Sequence, residues 1–443
     1  MNTMKKSLIF LTLIAALLIA ACGPAATPTS EPPTSAPEVT QATEPTEAPA
    51  PTEASQGEPV TISYALWEQT QVPAHEQIIA AFEAKHPNIN VEIQLVPWSE
   101  YWNKLQTALA GGEAYDVFWM NGPNFQVYAS KGVLLNLQDT IDAAKIDMSV
   151  FPEALLKVYT YDGKVYGMPK DFDTIALFYN KAIFDAAGVA YPTADWTWDD
   201  LKAAAKELTS DDVYGFIALP YDQAGYWNFV YQNGGQMLTA DASKTLVDEP
   251  AACDAVKYLY SFVQDKTSPD GAVMASAEPT TQLFPSGKAA MVTAGSWVAK
   301  FLHDSEIGPN LGVAPLPKGK QRASILHGLS NVVWSETPHP TEATEFVKFL
   351  GSKEAETILA ETGTVIPAYE GLQENWVKAI PEMDLQVFVD ALEYSVPYPT
   401  TPVGPEWSFK IANIFSETWS GNVPIDEACG MAAGEANTAL TPQ

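Results

Sequence analysis

Five predicted elements near the start of the folded part alternate strictly between strand and helix, and this order leaves few folds open. Residues 60–66 and 89–95 carry apolar side chains at every second position, the pattern of a half-buried strand. Residues 75–85 and the segment near 100–110 carry the apolar stripe of a helix, and residues 116–120 form a third short strand. Because a β-α-β-α-β order requires right-handed crossovers, the pattern predicts an α/β fold with a largely parallel sheet.

Tryptophans stand where these predicted strands end. Trp67 and Trp98 follow the first two strands, and Trp119 lies at the end of the third. A single Trp is more often a core residue than a ligand contact. However, open parallel sheets bind ligands beyond the carboxyl ends of their strands, so three indoles at one edge favour a binding cleft there.

The N-terminus has the pattern of an export signal. Lys5 and Lys6 precede the apolar residues 8–21, which end in small residues directly before Cys22. At about 14 residues the apolar run is shorter than the roughly 20 that span a bilayer. We therefore interpret residues 1–21 as a signal peptide. The sequence around the cysteine resembles that of bacterial lipoproteins, which implies that Cys22 is lipidated.

Residues 22–57 differ from the rest of the chain in composition. They are rich in Pro, Thr, Ala and Glu, contain no Lys or Arg, and have almost no large apolar side chain. Such a segment cannot bury enough apolar surface to order itself, so the sequence predicts a disordered, extended tether. The remaining residues, 58–443, are too many for one ordinary core and favour two lobes.

The charge and the cysteines restrict the function further. A formal net charge of −30 argues against nucleic acid as a partner, because nucleic-acid binding needs a basic face. The acidic residues are scattered, which favours a solvated surface over a site for a cationic ligand. Cys253 and Cys429 form either one disulfide or two buried thiols. No Cys or His spacing resembles a metal site, and we predict no metal and no cofactor.

Sequence motifs of the large enzyme classes are missing. The chain has no G-x-S-x-G, Walker A, H-E-x-x-H or EF-hand pattern, and its five His residues are scattered. Paired carboxylates for glycoside hydrolysis stay open as an alternative in so acidic a chain, but no particular pair stands out. The motifs therefore point to none of these enzyme classes.

The most specific sequence pattern lies in residues 163–208. Locally, residues 175–179 predict a buried strand, residues 181–187 a short helix that ends at Gly188, and Thr197 the N-cap of the next helix. The same segment contains GKVYGMP, Tyr-Asn-Lys, Phe-x-x-x-Gly and Trp-Asp-Asp-Leu in that order.

Together with FPSGKAAM at residues 284–291, these phrases resemble those of the family 1 extracellular solute-binding proteins. The resemblance covers essentially all of residues 58–440. It implies a two-lobed, periplasmic-binding-protein-like fold of the α/β class, with three interlobe crossings and a ligand cleft. The implied lobe I comprises residues 58–169 and 316–365, and the implied lobe II comprises residues 170–315 and 366–443.

The resemblance also implies a role. Members of the family bind a ligand without catalysis and deliver it to the permease subunits of an ABC importer. We therefore predict a monomeric, extracytoplasmic binding protein that contacts the membrane only through its lipid. A carbohydrate-sensing receptor subunit uses the same fold and stays open as an alternative. Cys253 and Cys429 both fall in the implied lobe II, each near the start of a predicted helix.

Candidate ligand contacts follow from the same resemblance. Trp119, Trp297 and Trp407 match indoles that contact sugar rings, and Asp173 falls where the family has a ligand-binding acid near the hinge. Tyr226 and Trp227 lie in a predicted loop that supplies an aromatic side chain. Packing between the lobes is the alternative for Trp227 and Trp407. The complete set is Trp67, Glu68, Trp119, Asn121, Asp173, Tyr226, Trp227, Trp297 and Trp407.

Composition bears on the class of ligand. The 12 Trp and 18 Tyr residues offer surfaces for the C–H faces of sugar rings, and Asp, Asn and Glu offer partners for sugar hydroxyls. An oligosaccharide is therefore the favoured ligand. A polyamine or another cation held by carboxylates is the main alternative. A glycerol phosphodiester is a further alternative, which the presence of only 24 Lys and Arg residues disfavours.

Overall fold

The structure, a computed structural model, describes residues 59–441. The predictions for the signal peptide, the tether and Cys22 lie outside the described residues. In chain order the strands are β1 (Val60–Leu66), β2 (Ile89–Leu95), β3 (Val117–Asn121), β4 (Thr160–Tyr161), β5 (Lys164–Val165), β6 (Gly167–Pro169), β7 (Asp171–Phe172), β8 (Ile175–Asn180), β9 (Met291–Gly295), β10 (Leu311–Ala314), β11 (Ser324–Leu326), β12 (Leu329–Val333), β13 (Ile366–Pro367) and β14 (Ser395–Pro397).

The first sheet has the strand order β2-β1-β3-β12-β6. β1 pairs in parallel with β2 and β3, as the alternating pattern predicts, but β12 is antiparallel to both β3 and β6. β2, β1, β3 and β6 therefore run in one direction, as the prediction of a largely parallel sheet requires, and β12 is the one strand of this sheet that runs against them. The reason is connectivity. β12 returns from the second sheet, so no crossover helix joins it to β3 and the crossover rule does not fix its direction.

The second sheet has the order β10-β8-β9, with both pairings antiparallel. Every residue of these strands is buried, which explains why β8 has a continuous apolar sequence instead of an alternating one. Each of the two lobes is organised around one of the two sheets. The residue bounds given above for the lobes stay a prediction.

The helices agree with the local sequence signals at several ends. The helix that begins after Thr197 has a capping box, in which the Thr197 hydroxyl accepts from the Asp200 N–H and the Asp200 carboxylate accepts from the Thr197 N–H.

Within residues 59–441, no helix is both long and apolar enough to cross a membrane. In chain order the helices are α1 (Val72–Glu83), α2 (Trp98–Gly111), α3 (Gly122–Ser130), α4 (Gln138–Ala144), α5 (Glu153–Val158), α6 (Lys181–Ala187), α7 (Trp198–Leu208), α8 (Trp227–Gln232), α9 (Pro250–Gln264), α10 (Gly271–Ser276), α11 (Ala299–His303), α12 (Pro340–Leu350), α13 (Lys353–Glu361), α14 (Gln373–Ala379), α15 (Gln386–Asp390), α16 (Glu406–Trp419) and α17 (Ile425–Leu440).

Three crossing segments lie side by side between the two sheets. The first contains β7 and leads from β6 to β8, the second contains β11 and leads from β10 to β12, and the third contains β13. β7 pairs antiparallel with β13. Asp173, in the first segment, exchanges backbone hydrogen bonds of 2.9 and 3.2 Å with His327 in the second. The first segment is therefore hydrogen-bonded to both of the others.

A disulfide joins Cys253 of α9 to Cys429 of α17, with Cα atoms 5.8 Å apart. Of the two alternatives left open by the sequence, the structure contains the bridge and not two free thiols. The bridge closes a loop of 176 residues, and the two helices that it joins are in contact.

We expect the double variant Cys253→Ser/Cys429→Ser to lose about 2–4 kcal/mol of unfolding free energy, because a cross-link across a long loop restricts the unfolded chain. Urea denaturation of the oxidised wild type and of the double variant measures this loss. Wild-type protein kept in reductant is the matched control, and its unfolding midpoint should coincide with that of the variant. Equal midpoints for the oxidised wild type and the variant would contradict the prediction.

Candidate functional site

A cavity of about 640 Å³ lies beside the three crossing segments, each of which contributes to its wall. The wall combines aromatic rings with side chains that carry oxygen. The aromatic residues are Trp67, Trp98, Trp102, Phe172, Tyr221, Trp297, Tyr398 and Phe409. The acidic and amide residues are Glu68, Gln71, Asn121, Asn124, Asp171, Asp173, Asp222 and Gln223.

An aromatic cluster around Trp67 forms one part of the wall. The Trp67 ring makes edge-to-face contacts with the rings of Trp98, Tyr101 and Trp119, at centroid distances of 5.2, 4.8 and 5.0 Å. Trp98 is 51% exposed although it belongs to this cluster. Trp102 lies one turn further along α2 and therefore on the same helix face. Packing thus fixes Trp67 while Trp98 offers an apolar surface to a ligand.

Glu68 and Asn121 line the cavity and also cap local helices. A carboxylate oxygen of Glu68 accepts from the N–H of Thr70 at 3.2 Å. The side-chain oxygen of Asn121 accepts from the backbone N–H of Asn124 at 3.3 Å and from its side-chain amide at 2.9 Å. These bonds orient both side chains at the ends of β1 and β3, where an open sheet binds ligands.

The carboxylate of Asp173 has side-chain partners from two other parts of the chain, Gln223 and His327. This carboxylate accepts from the side-chain amide of Gln223, and its Oδ2 lies 3.5 Å from Nδ1 of His327. Nε2 of His327 accepts from the backbone N–H of Gly122 at 3.1 Å, so in the neutral ring Nδ1 carries the proton and faces Asp173. Burial raises the pKa of Asp173 above its ordinary value, and the hydrogen bond with His327 opposes this rise.

Two further acids are already partnered in the structure. Asp171 pairs with the buried Lys170, which also donates to Gln71 at 2.8 Å. The Asp222 carboxylate accepts from the Tyr398 hydroxyl at 2.8 Å. Carboxylate oxygens can each accept more than one hydrogen bond, so these acids can still bind hydroxyl groups of a ligand.

Trp297 follows β9 through a short turn and lines the cavity while remaining partly exposed. The N–H of Ser296 donates to the carbonyl of Thr174 at 3.2 Å, which attaches this turn to the first crossing segment. The Ser296 hydroxyl is buried and has no hydrogen-bond partner among the described residues. The turn therefore brings an indole and a hydroxyl to one part of the wall.

Trp119 does not line the cavity, which corrects the expectation of a sugar contact. β3 runs on to Asn121, so Trp119 lies inside the strand and not beyond its end. The indole is fully buried, its N–H donates to the Tyr64 hydroxyl at 2.6 Å, and the Lys170 ammonium lies 4.3 Å from its ring centroid. Trp119 therefore has a structural role, as a core residue and as a partner of a buried lysine.

Tyr226, Trp227 and Trp407 are likewise buried and absent from the cavity wall. The segment predicted to be a loop is helical, and α8 begins at Trp227. The rings of Trp227 and Trp407 stack with centroids 5.6 Å apart and an angle of 10° between their planes. The Tyr226 ring packs edge-to-face against Phe415 at a centroid distance of 5.0 Å. The expectation that these three residues contact a ligand is corrected, because core packing takes up all three rings. Of the nine candidates, Trp67, Glu68, Asn121, Asp173 and Trp297 line the cavity.

Sequence reasoning placed Trp98 at the sheet edge but left it out of the nine candidates, and it missed other residues of the wall. Trp98 and Trp102 are four residues apart on α2, and this spacing is a signal for a shared helix face. Phe409 is 51% exposed and lies two residues after the buried Trp407. No local signal distinguishes His327 or Tyr398 as wall residues, because their positions depend on the second crossing segment and on β14.

The charged side chains of the cavity wall are predominantly acidic. Glu68, Asp171, Asp173 and Asp222 contribute four carboxylates, and the lining residues of the described chain include no Lys or Arg. The buried Lys170 forms an ion pair with one of these four carboxylates, that of Asp171. Such a cavity favours a neutral or cationic ligand over an anionic one. Within residues 59–441, no three His, Cys, Asp or Glu side chains are grouped so that they could hold a metal ion.

Comparison with known sequences gives a consistent result. The sequence profile of the bacterial extracellular solute-binding proteins matches residues 67–357. The galactooligosaccharide-binding protein of Bacillus subtilis is 25% identical over 336 residues, which cover 73% of this chain and 76% of that protein. The diacetylchitobiose-binding protein of Streptomyces coelicolor is 26% identical over 382 residues, which cover 82% of this chain and 85% of that protein.

Among solved structures, an ABC substrate-binding protein of Listeria monocytogenes in complex with cycloalternan has a TM-score of 0.81 and 29% sequence identity. The match covers 86% of this chain and 99% of the Listeria chain. The two-lobed architecture of the present chain is thus shared with a substrate-binding protein whose structure contains bound cycloalternan.

Proposed function

We propose a function from the premise that the chain belongs to the family of bacterial extracellular solute-binding proteins. The protein captures a carbohydrate, preferably an oligosaccharide, in the cavity beside the crossing segments and delivers it to an ABC importer. It binds this ligand without converting it. The family and the similar structures are binding proteins and not enzymes.

The observation that carries the proposal is the composition of the cavity wall. Trp67, Trp98, Trp297 and Phe409 present flat apolar surfaces, and carboxylates and amides lie between them. A sugar ring has C–H faces that pack on aromatic rings and edge hydroxyls that need hydrogen-bond partners. The mixture therefore suits a saccharide better than a purely apolar or a strongly charged molecule.

Closure of the lobes follows from the position of the cavity. Asn121 belongs to the first sheet, Ser296 follows the second, and residues of all three crossing segments stand between them. A ligand that contacts both sides binds the closed arrangement better than the open one. Such a ligand shifts the equilibrium between the open and closed states toward the closed state. The size of the shift is set by the difference between its binding free energies for the two states.

We expect neutral oligosaccharides to stabilise the protein and anionic ones not to, because the wall formed by residues 59–441 carries four carboxylates and no Lys or Arg. A thermal-shift panel tests this with galactobiose, arabinotriose, diacetylchitobiose and maltotriose as neutral probes. Digalacturonate is the anionic counterpart of galactobiose. A saccharide present at 100 times its Kd adds about 2.7 kcal/mol of unfolding free energy.

The same panel includes the competing ligand classes. Spermidine represents a polyamine, which the four wall carboxylates also suit, and glycerophosphocholine represents a glycerol phosphodiester. A rise in Tm with spermidine or glycerophosphocholine, and with no saccharide, would overturn the carbohydrate proposal. A stronger response to digalacturonate than to galactobiose would overturn the charge argument alone.

We also propose that the protein is extracytoplasmic, monomeric and anchored through a lipid on Cys22, which lies outside the described residues. The proposal depends on the basic, apolar and small-residue pattern that precedes this cysteine. We expect Cys22→Ala to release the protein from the membrane fraction of a bacterial host into the soluble extracytoplasmic fraction. Cell fractionation measures this, with Cys253→Ala as the control that should stay in the membrane. Retention of the Cys22 variant in the membrane would contradict lipidation.

A further inference from the structure

Gly295 is the last residue of β9 and stands two positions before Trp297. Its backbone angles are φ −84° and ψ 164°, an extended conformation that any residue can adopt. The backbone therefore does not require glycine at this position. Some other constraint must exclude a side chain if glycine matters here.

The constraint lies in the indole of Trp297. A Cβ atom at position 295 would stand 1.7 Å from Cζ3, 2.1 Å from Cε3 and 2.2 Å from Cη2 of the Trp297 ring. Non-bonded carbon atoms approach only to about 3.5 Å, so no side chain at position 295 is compatible with this ring position. The six-membered part of the indole therefore lies directly against the Gly295 backbone.

The location of this contact connects it with the cavity. Trp297 lines the wall, and the turn between the two residues is attached to the first crossing segment through Ser296 and Thr174. Gly295 itself is buried and pairs with Ile175 in the second sheet. One side of the indole thus rests against a buried, hydrogen-bonded strand end, which limits the positions open to the ring.

We propose that Gly295 is a positioning residue, which fixes the Trp297 indole against the end of β9 so that the ring presents its face to a bound saccharide. This inference rests on the proposed function for its ligand, but the contact itself can be tested without one. Substitution by alanine displaces the ring while leaving it in the protein. We therefore expect the Gly295→Ala variant to bind saccharide more weakly because its Trp297 ring is displaced, although the ring is still present.

The first test is a double-mutant cycle on ligand-free protein. We expect Gly295→Ala to lower Tm by at least about 2 °C in the wild-type background, because the methyl group and the indole compete for one space. In the Trp297→Ala background the same substitution meets no ring, so we expect it to change Tm by less than half as much. Equal decreases in the two backgrounds would overturn the proposal.

The second test measures affinity and has a matched control elsewhere in the same sheet. A Cβ atom at Gly312 of β10 would stand 2.2 Å from the ring of Tyr179, which does not line the cavity. Gly312→Ala therefore introduces a comparable steric conflict remote from the ligand. Calorimetric titration with galactobiose, arabinotriose, diacetylchitobiose and maltotriose compares both variants with the wild type.

We expect Gly295→Ala to weaken saccharide binding by about ten-fold or more, and Gly312→Ala by less than about three-fold. Similar losses of affinity in both variants would overturn the proposal, because they would mean that Gly295 acts only through general stability. If no saccharide binds the wild type, the carbohydrate function is overturned. The ligand-free cycle then still decides whether Gly295 positions the indole.

Discussion

Trp297→Ala should weaken saccharide binding by roughly 30- to 1,000-fold, which corresponds to about 2–4 kcal/mol for the loss of a central aromatic contact. The indole lines the cavity and is partly exposed, so its removal deletes a ligand surface and little of the core. We therefore expect the unfolding free energy of the ligand-free variant to fall by less than about 1.5 kcal/mol. Calorimetric titration and urea denaturation of the same variant give both quantities.

Trp376→Ala serves as the control for this prediction. Trp376 is fully buried, and its indole N–H donates to the Gly363 carbonyl at 3.2 Å, outside the cavity wall. This control should lose stability with little change in affinity under conditions where it is folded. If Trp297→Ala instead lost stability and kept its affinity, Trp297 would be a core residue and not a ligand contact.

Trp407→Ala should reduce the unfolding free energy by about 3–5 kcal/mol, because it leaves a large cavity in a closely packed region. The Trp407 ring is 1% exposed and stacks on Trp227, which is also fully buried. Urea denaturation of the ligand-free protein measures the loss. This result would place Trp407 among the residues that stabilise the fold, in contrast to the sugar contact that the family resemblance implies.

Phe409→Ala is the matched comparison on the same helix. Phe409 lies two residues after Trp407 in α16, is half exposed and lines the cavity. We expect its truncation to change stability by less than about 1 kcal/mol and to weaken saccharide binding. A stable Trp407→Ala variant with strongly reduced affinity would contradict this assignment and restore the role in stacking.

Elements with strong local signals could be predicted from the sequence alone. α6 has the predicted bounds, β1 ends at Leu66, one residue before the predicted end at Trp67, and α7 begins after the predicted N-cap Thr197. Strand alternation, capping side chains and a left-handed glycine such as Gly188 act between residues a few positions apart. The family phrases added the two-lobed architecture, which local patterns alone do not determine.

The direction of β12 and the pairing of the crossing segments could not be read from local patterns. β12 enters the first sheet antiparallel to β3, and Asp173 pairs with His327 across more than 150 positions of the chain. Such contacts depend on how the chain returns between the sheets. Sequence periodicity carries no record of that return, so it did not predict that β12 runs against the other four strands of the sheet.

The candidate site also combines features that the sequence predicts with features that depend on long-range packing. The sequence by itself determined that aromatic and acidic residues are available at strand ends, and it identified Trp67, Glu68, Asn121, Asp173 and Trp297 as candidates that the structure places on one wall. Only the tertiary structure decided which remaining aromatics face the cavity. Trp407 and Phe409 belong to one helix and are two residues apart, which separates their directions by roughly 200° around the helix axis. Packing of α16 against its neighbours then buries one ring and exposes the other, and this choice depends on contacts between distant parts of the chain.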